Sequence, residues 1–134
     1  MIDQEKDVSL VASFLKKMDL DPKDHERAPN IWSVKQNSAE IFIIVAGGFL
    51  IFQSKIMSLP KSNLSTFYRK LLELNDNVQE SLGAAFGINK NNEIILKMLR
   101  PMTNLGFNEF MYYLTSIAFV SEKQIDALPK RFND

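Results

Sequence analysis

Apolar residues recur along the chain at two spacings, one typical of helices and the other typical of strands. Where an apolar residue returns every three to four positions, as at Val8, Val11 and Leu15, one side of a helix can pack on a core. Three segments follow this spacing: Gln4–Met18, Leu64–Asn75 and Leu105–Ala127. We predict that the third helix ends before Pro129, because proline has no amide hydrogen to donate within a helix.

Apolar runs separated by turn residues predict five strands between these helices. Gly47-Gly48 separates two such runs and predicts a two-residue hairpin, because glycine readily adopts the positive φ that these turns need. The polar segment Asp19–Asn30 contains two prolines and is predicted to be a loop. The predicted strands are Ile31–Lys35, Glu40–Ala46, Phe49–Met57, Leu82–Ile88 and Glu93–Leu99. The 134 residues therefore predict one α+β domain in the order α-β-β-β-α-β-β-α, an antiparallel sheet with helices on one face.

The predicted hairpin registers assign each strand residue to a face of the sheet, because residues directly opposite one another point the same way. Closing the first hairpin at Gly47-Gly48 gives a wholly apolar face with the pairs Val45–Leu50 and Ile43–Phe52. The same register predicts an ion pair between Glu40 and Lys55 on the other face. Closing the second hairpin with the turn Asn89–Asn92 pairs Ala85 with Leu96 on the helix-covered face and Phe86 with Ile95 on the opposite face.

The sheet face away from the helices is predicted to carry many apolar side chains. A monomer seldom exposes a large contiguous apolar patch, since burying such surface is worth about 25 cal/mol per Å². Either a protein partner covers this face, or one of the three helices crosses to it. The residues predicted to contact a partner or a second copy of the chain on this face are Phe42, Ile44, Phe49, Ile51, Leu82, Phe86, Ile95 and Leu99.

The last helix is predicted to be apolar on a second side as well. Tyr112 and Phe119 are seven positions apart and lie opposite its core stripe. Tyrosine suits protein interfaces, where its ring is buried and its hydroxyl stays in water. We therefore predict that these two residues contact a partner or belong to the core.

Charge and composition narrow the classes of function. Sixteen basic and sixteen acidic residues cancel, which disfavours binding to nucleic acid or to an anionic membrane. The chain has no cysteine, which excludes disulfides and thiolate sites and fits a reducing cytoplasm. Its first residues are acidic where a signal peptide would be basic, and its longest apolar run, Ile41–Phe52, is shorter than the roughly 20 residues of a membrane helix. We expect a cytoplasmic protein that binds neither nucleic acid nor membrane.

The sequence contains no motif for catalysis or for a cofactor. His25 is the only histidine and lies in a polar segment beside carboxylates, which is typical of a solvated loop residue rather than a metal ligand. Asp19, Asp21 and Asp24 are spaced like the start of a calcium loop, but the glycine required at the sixth position is absent. Gly83 and Gly87 have no basic residue nearby that could bind a phosphate and are better explained by packing. We predict a non-enzymatic protein with no cofactor, no metal and no catalytic residue.

Several segments resemble those of a known family. The run Ser38–Ile43, the run Ile56–Pro60 and the run Phe67–Asn75 resemble the YbjN-type family of bacterial sensory transduction regulators. Gly83–Ile88 and the stretch from Arg100 to Leu105 fit the same pattern, so the resemblance covers most of the chain after about residue 30. This family is similar in fold to the class I type III secretion chaperones. The resemblance implies a homodimer without a cofactor whose exposed surfaces hold an extended or unfolded segment of a partner.

Three functional hypotheses follow. The leading one is a homodimeric regulator or chaperone-like protein that binds a partner polypeptide through the apolar sheet face. The second is a dedicated type III secretion chaperone for one effector; the chaperones tend to be acidic whereas this chain is neutral, with a pI near 6.6, which favours the regulator-like branch. The third is a small-ligand sensor or an enzyme that uses a pocket between sheet and helices.

Overall fold

A computed structural model describes residues 2–132, and a six-stranded antiparallel sheet forms its centre. The sheet order is β1-β2-β3-β4-β6-β5, so β1 and β5 are the edge strands. This arrangement confirms the predicted α+β class and the antiparallel sheet. The strands are β1 (Glu26–Ala28), β2 (Ile31–Gln36), β3 (Ala39–Ala46), β4 (Phe49–Ser58), β5 (Ala85–Ile88) and β6 (Glu93–Pro101).

Among residues 2–132, five helices accompany the sheet, and the three long ones are those predicted from the apolar spacing. The helices are α1 (Gln4–Lys17), α2 (Pro22–His25), α3 (Leu64–Asp76), α4 (Val78–Ser81) and α5 (Phe107–Phe132). Asp3 caps the start of α1 by accepting a hydrogen bond from the Lys6 amide at 3.1 Å. Within residues 2–132, no helix is both long enough and apolar enough to span a membrane.

Aromatic contacts fix all three long helices to the same face of the sheet. The Phe110 ring of α5 lies 5.1 Å from Phe14 of α1 and 5.7 Å from Phe52 of β4. At the far end of α5, the Phe132 ring lies 5.0 Å from Phe67 of α3. The inward residues of the first hairpin, such as Val45 and Leu50, are fully buried as predicted. No long helix therefore crosses to the other side, and we call that uncovered side the outer face.

The segment predicted to be a loop, Asp19–Asn30, contains α2 and β1 instead. Asp21 caps α2 by accepting a hydrogen bond from the Lys23 amide at 3.0 Å, with Pro22 in the first turn where proline is tolerated. β1 then pairs with β2 at two positions only, Glu26↔Trp32 and Ala28↔Ile31. The prediction was wrong because short elements fixed by side-chain caps and by a neighbouring strand leave no periodic signal in the sequence.

The predicted strand Leu82–Ile88 is also shorter than expected. Residues before it form α4, and Leu82 ends that helix in the left-handed conformation, with φ 51°. The turn that follows is closed by Asn89 and Glu93, where the Asn89 amide donates to the Glu93 carbonyl at 3.1 Å. It is therefore a three-residue connection rather than the predicted four-residue one. This difference shifts the register by one residue.

The register shift reverses the faces of β5, because neighbouring strand residues point to opposite sides. Phe86 pairs with Leu96, which is fully buried on the helix-covered face, whereas Ala85 pairs with Lys97 on the outer face. In addition, the Asn75 side chain of α3 accepts a hydrogen bond from the Phe86 amide at 2.7 Å. Phe86 and Leu82 are consequently partly buried against the core and are not outward-facing residues.

Two smaller predictions were wrong as well. Helix α5 continues through Pro129, because Leu128 and Phe132 are buried on either side of it and their packing outweighs the missing hydrogen bond. Lys55 pairs with Glu93 of β6 at 2.9 Å rather than with Glu40, which lies on the opposite neighbouring strand.

The observed register of β5 has a direct test in two single substitutions. We expect Phe86→Asp to lower the free energy of unfolding by about 2–4 kcal/mol, because it places a charge against the core. Ala85→Asp, on the exposed outer face, should change it by no more than about 0.5 kcal/mol. Urea denaturation measures both values. The reverse order of the two variants would indicate the register shifted by one residue.

Candidate partner-binding surface

Cross-strand neighbours on the outer face form rows whose polarity changes from one end of the sheet to the other. The rows nearest the β3–β4 turn are apolar, and the rows farthest from it carry charges. In order from that turn, the rows are Ala46, Phe49 and Pro101; then Ile31, Ile44, Ile51 and Leu99; then Ser33, Phe42, Gln53, Lys97 and Ala85; then Lys35, Glu40, Lys55, Ile95 and Gly87.

The exposed apolar residues of this face lie together in the first three rows. Phe49 is 42% exposed and Leu99 is 49% exposed, although both are large and apolar. In the row of Leu99, the neighbours Ile31, Ile44 and Ile51 are half-buried, and no long helix of residues 2–132 lies above them. We call this group the outer patch, and its members are Ile31, Phe42, Ile44, Phe49, Ile51 and Leu99.

The outer patch contains five of the ten residues predicted for partner contact: Phe42, Ile44, Phe49, Ile51 and Leu99. Ile95 lies on the outer face but is only 8% exposed. Tyr112 and Phe119 are 67% and 63% exposed, but they lie on α5 and thus on the other side of the sheet. Ile31 was missed because only the inward-facing residues of β2 were considered. The position of Ile31 opposite Ile44 of β3 is the signal that could have identified it.

A groove extends from the outer patch around the end of the sheet. It has a volume of about 1080 Å³ and lies between α1, the β3–β4 turn and the chain that follows β6. Phe49 and Pro101 belong both to the first row and to the lining of this groove. The start of α1 is held against the sheet here, because the Gln4 side chain donates a hydrogen bond to the Val45 carbonyl at 2.8 Å. The outer patch is therefore continuous with a concave surface beside α1.

A polar network bounds the outer patch on the side of β1. The Ser33 hydroxyl, almost fully buried, accepts a hydrogen bond from Arg27 Nε at 2.8 Å and donates one to Glu40 Oε2 at 3.0 Å. His25 Nδ1 lies 2.9 Å from the Ser33 carbonyl oxygen. His25, expected to be a solvated loop residue, thus holds α2 against β2. The network satisfies the groups that would otherwise be buried without partners.

The charged end of the outer face is held by a second set of side chains. Hydrogen bonds from Asn89 and Lys55 lower the pKa of Glu93 from its ordinary value, so this carboxylate stays ionised to lower pH than an ordinary glutamate. Its ion pair with Lys55 spans β4 and β6. The ion pair therefore links the two strands at the charged end of the outer face.

Further exposed apolar residues lie at the side of the molecule, on α3 and on the two elements that α3 contacts, α4 and β5. Leu72 is 67% exposed and Val78 is 71% exposed. Sequence reasoning missed them because the apolar stripe of α3 was read as core only, while Leu72 lies four residues after Tyr68 on a separate side of that helix. We call this group the side surface, and its members are Tyr68, Leu72, Val78 and Ile88.

Comparison with known proteins shows which family and which solved structures this chain is similar to. The sequence model of the CesT_Tir_1 family matches residues 4–129. A chain of the ExsC–ExsE complex is 15% identical with a TM-score of 0.70, and the match covers 96% of this chain and 98% of that one. A chain of the HopA1–SchA chaperone–effector complex is 13% identical with a TM-score of 0.68, covering 95% and 100%. No curated protein sequence matches the chain.

The YbjN-type resemblance stated from the sequence is confirmed at the level of the fold. YbjN from E. coli is 13% identical with a TM-score of 0.57, and the match covers 88% of this chain and 84% of YbjN. At these identities each solved structure establishes a shared fold and no more. The match over residues 4–129, which spans most of the chain, is with a family of type III secretion chaperones.

The outer patch should be dispensable for stability if it does not belong to the core. We expect Leu99→Asp to change the free energy of unfolding by no more than about 0.5 kcal/mol, because the side chain is half exposed and has no helix above it. Leu50→Asp, at a fully buried position on the covered face, should prevent folding. Circular dichroism during urea denaturation compares the two. A severe loss of stability in Leu99→Asp would show that the patch is structural.

Proposed function

This chain belongs to the CesT_Tir_1 family of type III secretion chaperones, and we propose that it is a homodimeric, non-enzymatic, chaperone-like protein that binds a segment of a partner polypeptide on the outer patch. The single observation that carries this proposal is the uncovered apolar face: three long helices pack on one side of the sheet and leave the other without cover. At about 25 cal/mol per Å², covering such side chains favours association.

The neighbours in structure support the choice of a polypeptide as the partner. The HopA1–SchA structure is a chaperone–effector complex, and the match covers the whole of the similar chain. The gradation of the outer face also suits a polypeptide, since a protein interface usually combines an apolar region with polar residues that border it. Tyr112 and Phe119 remain predicted contact residues on α5, away from the outer patch.

The side surface supports the homodimer. Among residues 2–132, β5 pairs only with β6 and is an edge strand. Its outward edge, where the Asn75 side chain bonds the backbone of Phe86, lies beside the exposed Leu72 and Ile88. A two-fold axis at this edge would let the same residues of both copies cover one another, which is the arrangement of most homodimers. The outer patch, on a different side of the molecule, would remain free in such a dimer.

Partner binding can be tested by affinity capture with matched variants. Tagged wild-type protein, Leu99→Asp and Lys16→Glu are incubated with lysate of the source organism, and captured proteins are identified by mass spectrometry. We expect wild type and Lys16→Glu, whose change lies on exposed α1 surface, to capture the same protein. Leu99→Asp should lose at least about 30-fold in affinity for it, the effect of removing a central interface residue. Equal capture by Leu99→Asp would refute binding on the outer patch.

The dimer has its own test, independent of any partner. We expect light scattering to give twice the chain mass for wild type and for Lys16→Glu, an exposed change on α1. Leu72→Asp should give the mass of one chain, because a two-fold axis brings two unpaired carboxylates into the same contact. Circular dichroism shows whether the variant is folded. A wild-type protein that is monomeric at crystallisation concentrations, or a dimeric Leu72→Asp, would contradict the proposed dimer.

A further inference from the structure

The outer face has an excess of positive charge although the whole chain is neutral. Both of its carboxylates already have partners, since Glu93 pairs with Lys55 and Glu40 accepts from Ser33. Among residues 2–132, no carboxylate forms an ion pair with Lys97 or with Lys35. The charged residues of this face are four cations and two carboxylates: Arg27, Lys35, Lys55, Lys97, Glu40 and Glu93.

The unpaired lysine closest to the outer patch is Lys97. It lies in the row next to that of Leu99, two residues away on β6, which is about 7 Å along the strand. Its neighbours across the strands are Gln53 and Ala85, which are uncharged. A partner that covers Leu99 therefore brings its own side chains within reach of an ammonium group that has no counter-charge.

This charge argues against a second copy of the chain as the occupant of the outer patch. If two outer faces met, each would present its excess cations to the other, and like charges brought together across an interface weaken binding. An acidic border on the partner would be favoured instead. The charges therefore favour a different polypeptide segment, apolar where it would cover Leu99 and acidic where it would approach Lys97.

The sheet also restricts the conformation of that segment. The central strands already use their backbone groups to pair with one another, so the face offers side chains and no backbone partners. A segment lying on an apolar face must satisfy its own amide and carbonyl groups, which a helix does internally. The row from Ile31 to Leu99 spans three strand spacings, about 14 Å, which is the length of roughly ten helical residues.

We propose that the outer patch binds an amphipathic helix with an apolar stripe on the row from Ile31 to Leu99 and acidic side chains along the edge that faces Lys97. This inference rests on the proposed function, because it describes the partner segment of the same surface. The apolar stripe supplies most of the affinity, whereas the acidic edge sets the orientation of the helix across the strands.

Synthetic peptides test this inference without an identified partner. Three fluorescent peptides of about 18 residues share one leucine stripe with helical spacing and differ only at their polar positions, which are Glu, Gln or Lys. Fluorescence anisotropy measures their dissociation constants for the wild-type protein at low salt and at high salt. We expect the Glu peptide to bind about tenfold more tightly than the Lys peptide at low salt, with a smaller difference at high salt.

Charge reversal on the protein provides the matched control. The Lys97→Glu variant should bind the Lys peptide as tightly as the Glu peptide or more tightly. The Lys16→Glu variant, an exposed change on α1, should still bind the Glu peptide more tightly than the Lys peptide. If the wild-type protein binds all three peptides with equal affinity and Leu99→Asp binds none of them, the acidic edge is overturned and the proposed function stands. Failure of every peptide to bind would overturn the helix itself, and the capture experiment with Leu99→Asp decides the proposed function separately.

Discussion

The structure depends on the packing of three long helices against one face of the sheet, although both faces carry apolar side chains. Phe110 of α5 contacts Phe14 of α1 and Phe52 of β4, so the core closes around a single aromatic cluster on that face. Because a strand directs alternate side chains to opposite sides, the residues between the buried ones must point away from the helices. The outer patch is therefore a direct consequence of how the core is built.

The exposed surfaces of the molecule are separate and chemically different. The outer patch is apolar near the β3–β4 turn and bordered by lysines farther along the strands. The side surface consists of aliphatic and aromatic residues beside the edge strand β5. Under the proposed function, the chain forms a dimer at the side surface and holds a partner at the outer patch. Affinity in such a protein comes from the area of apolar surface covered, and the lysines add selectivity.

Much of this architecture follows from the sequence, because periodicity carries strong information about long elements. The Gly47-Gly48 turn fixes one register without ambiguity, and the pairs Val45–Leu50 and Ile43–Phe52 lie as predicted. The β5–β6 turn does not fix its register in this way. It is closed by Asn89 rather than by Ile88, because the Asn89 side chain accepts hydrogen bonds from the backbone, which no hydrophobic pattern reveals. That single residue moves Phe86 into the core. In the same way, the sequence does not distinguish Leu72 from the buried leucines of α3. Only the packing of that helix shows that the Leu72 side chain is exposed.

The absence of cysteine from the sequence allows the central claim, that a partner covers the outer patch, to be measured at a single atom. Leu99→Cys introduces one thiol on the outer patch, and Lys16→Cys introduces one on the exposed side of α1. The rate of alkylation of each thiol is compared in the free protein and in the complex with its captured partner. The account predicts that the partner slows alkylation at position 99 strongly and leaves the rate at position 16 unchanged. Equal rates at position 99 with and without the partner would contradict it.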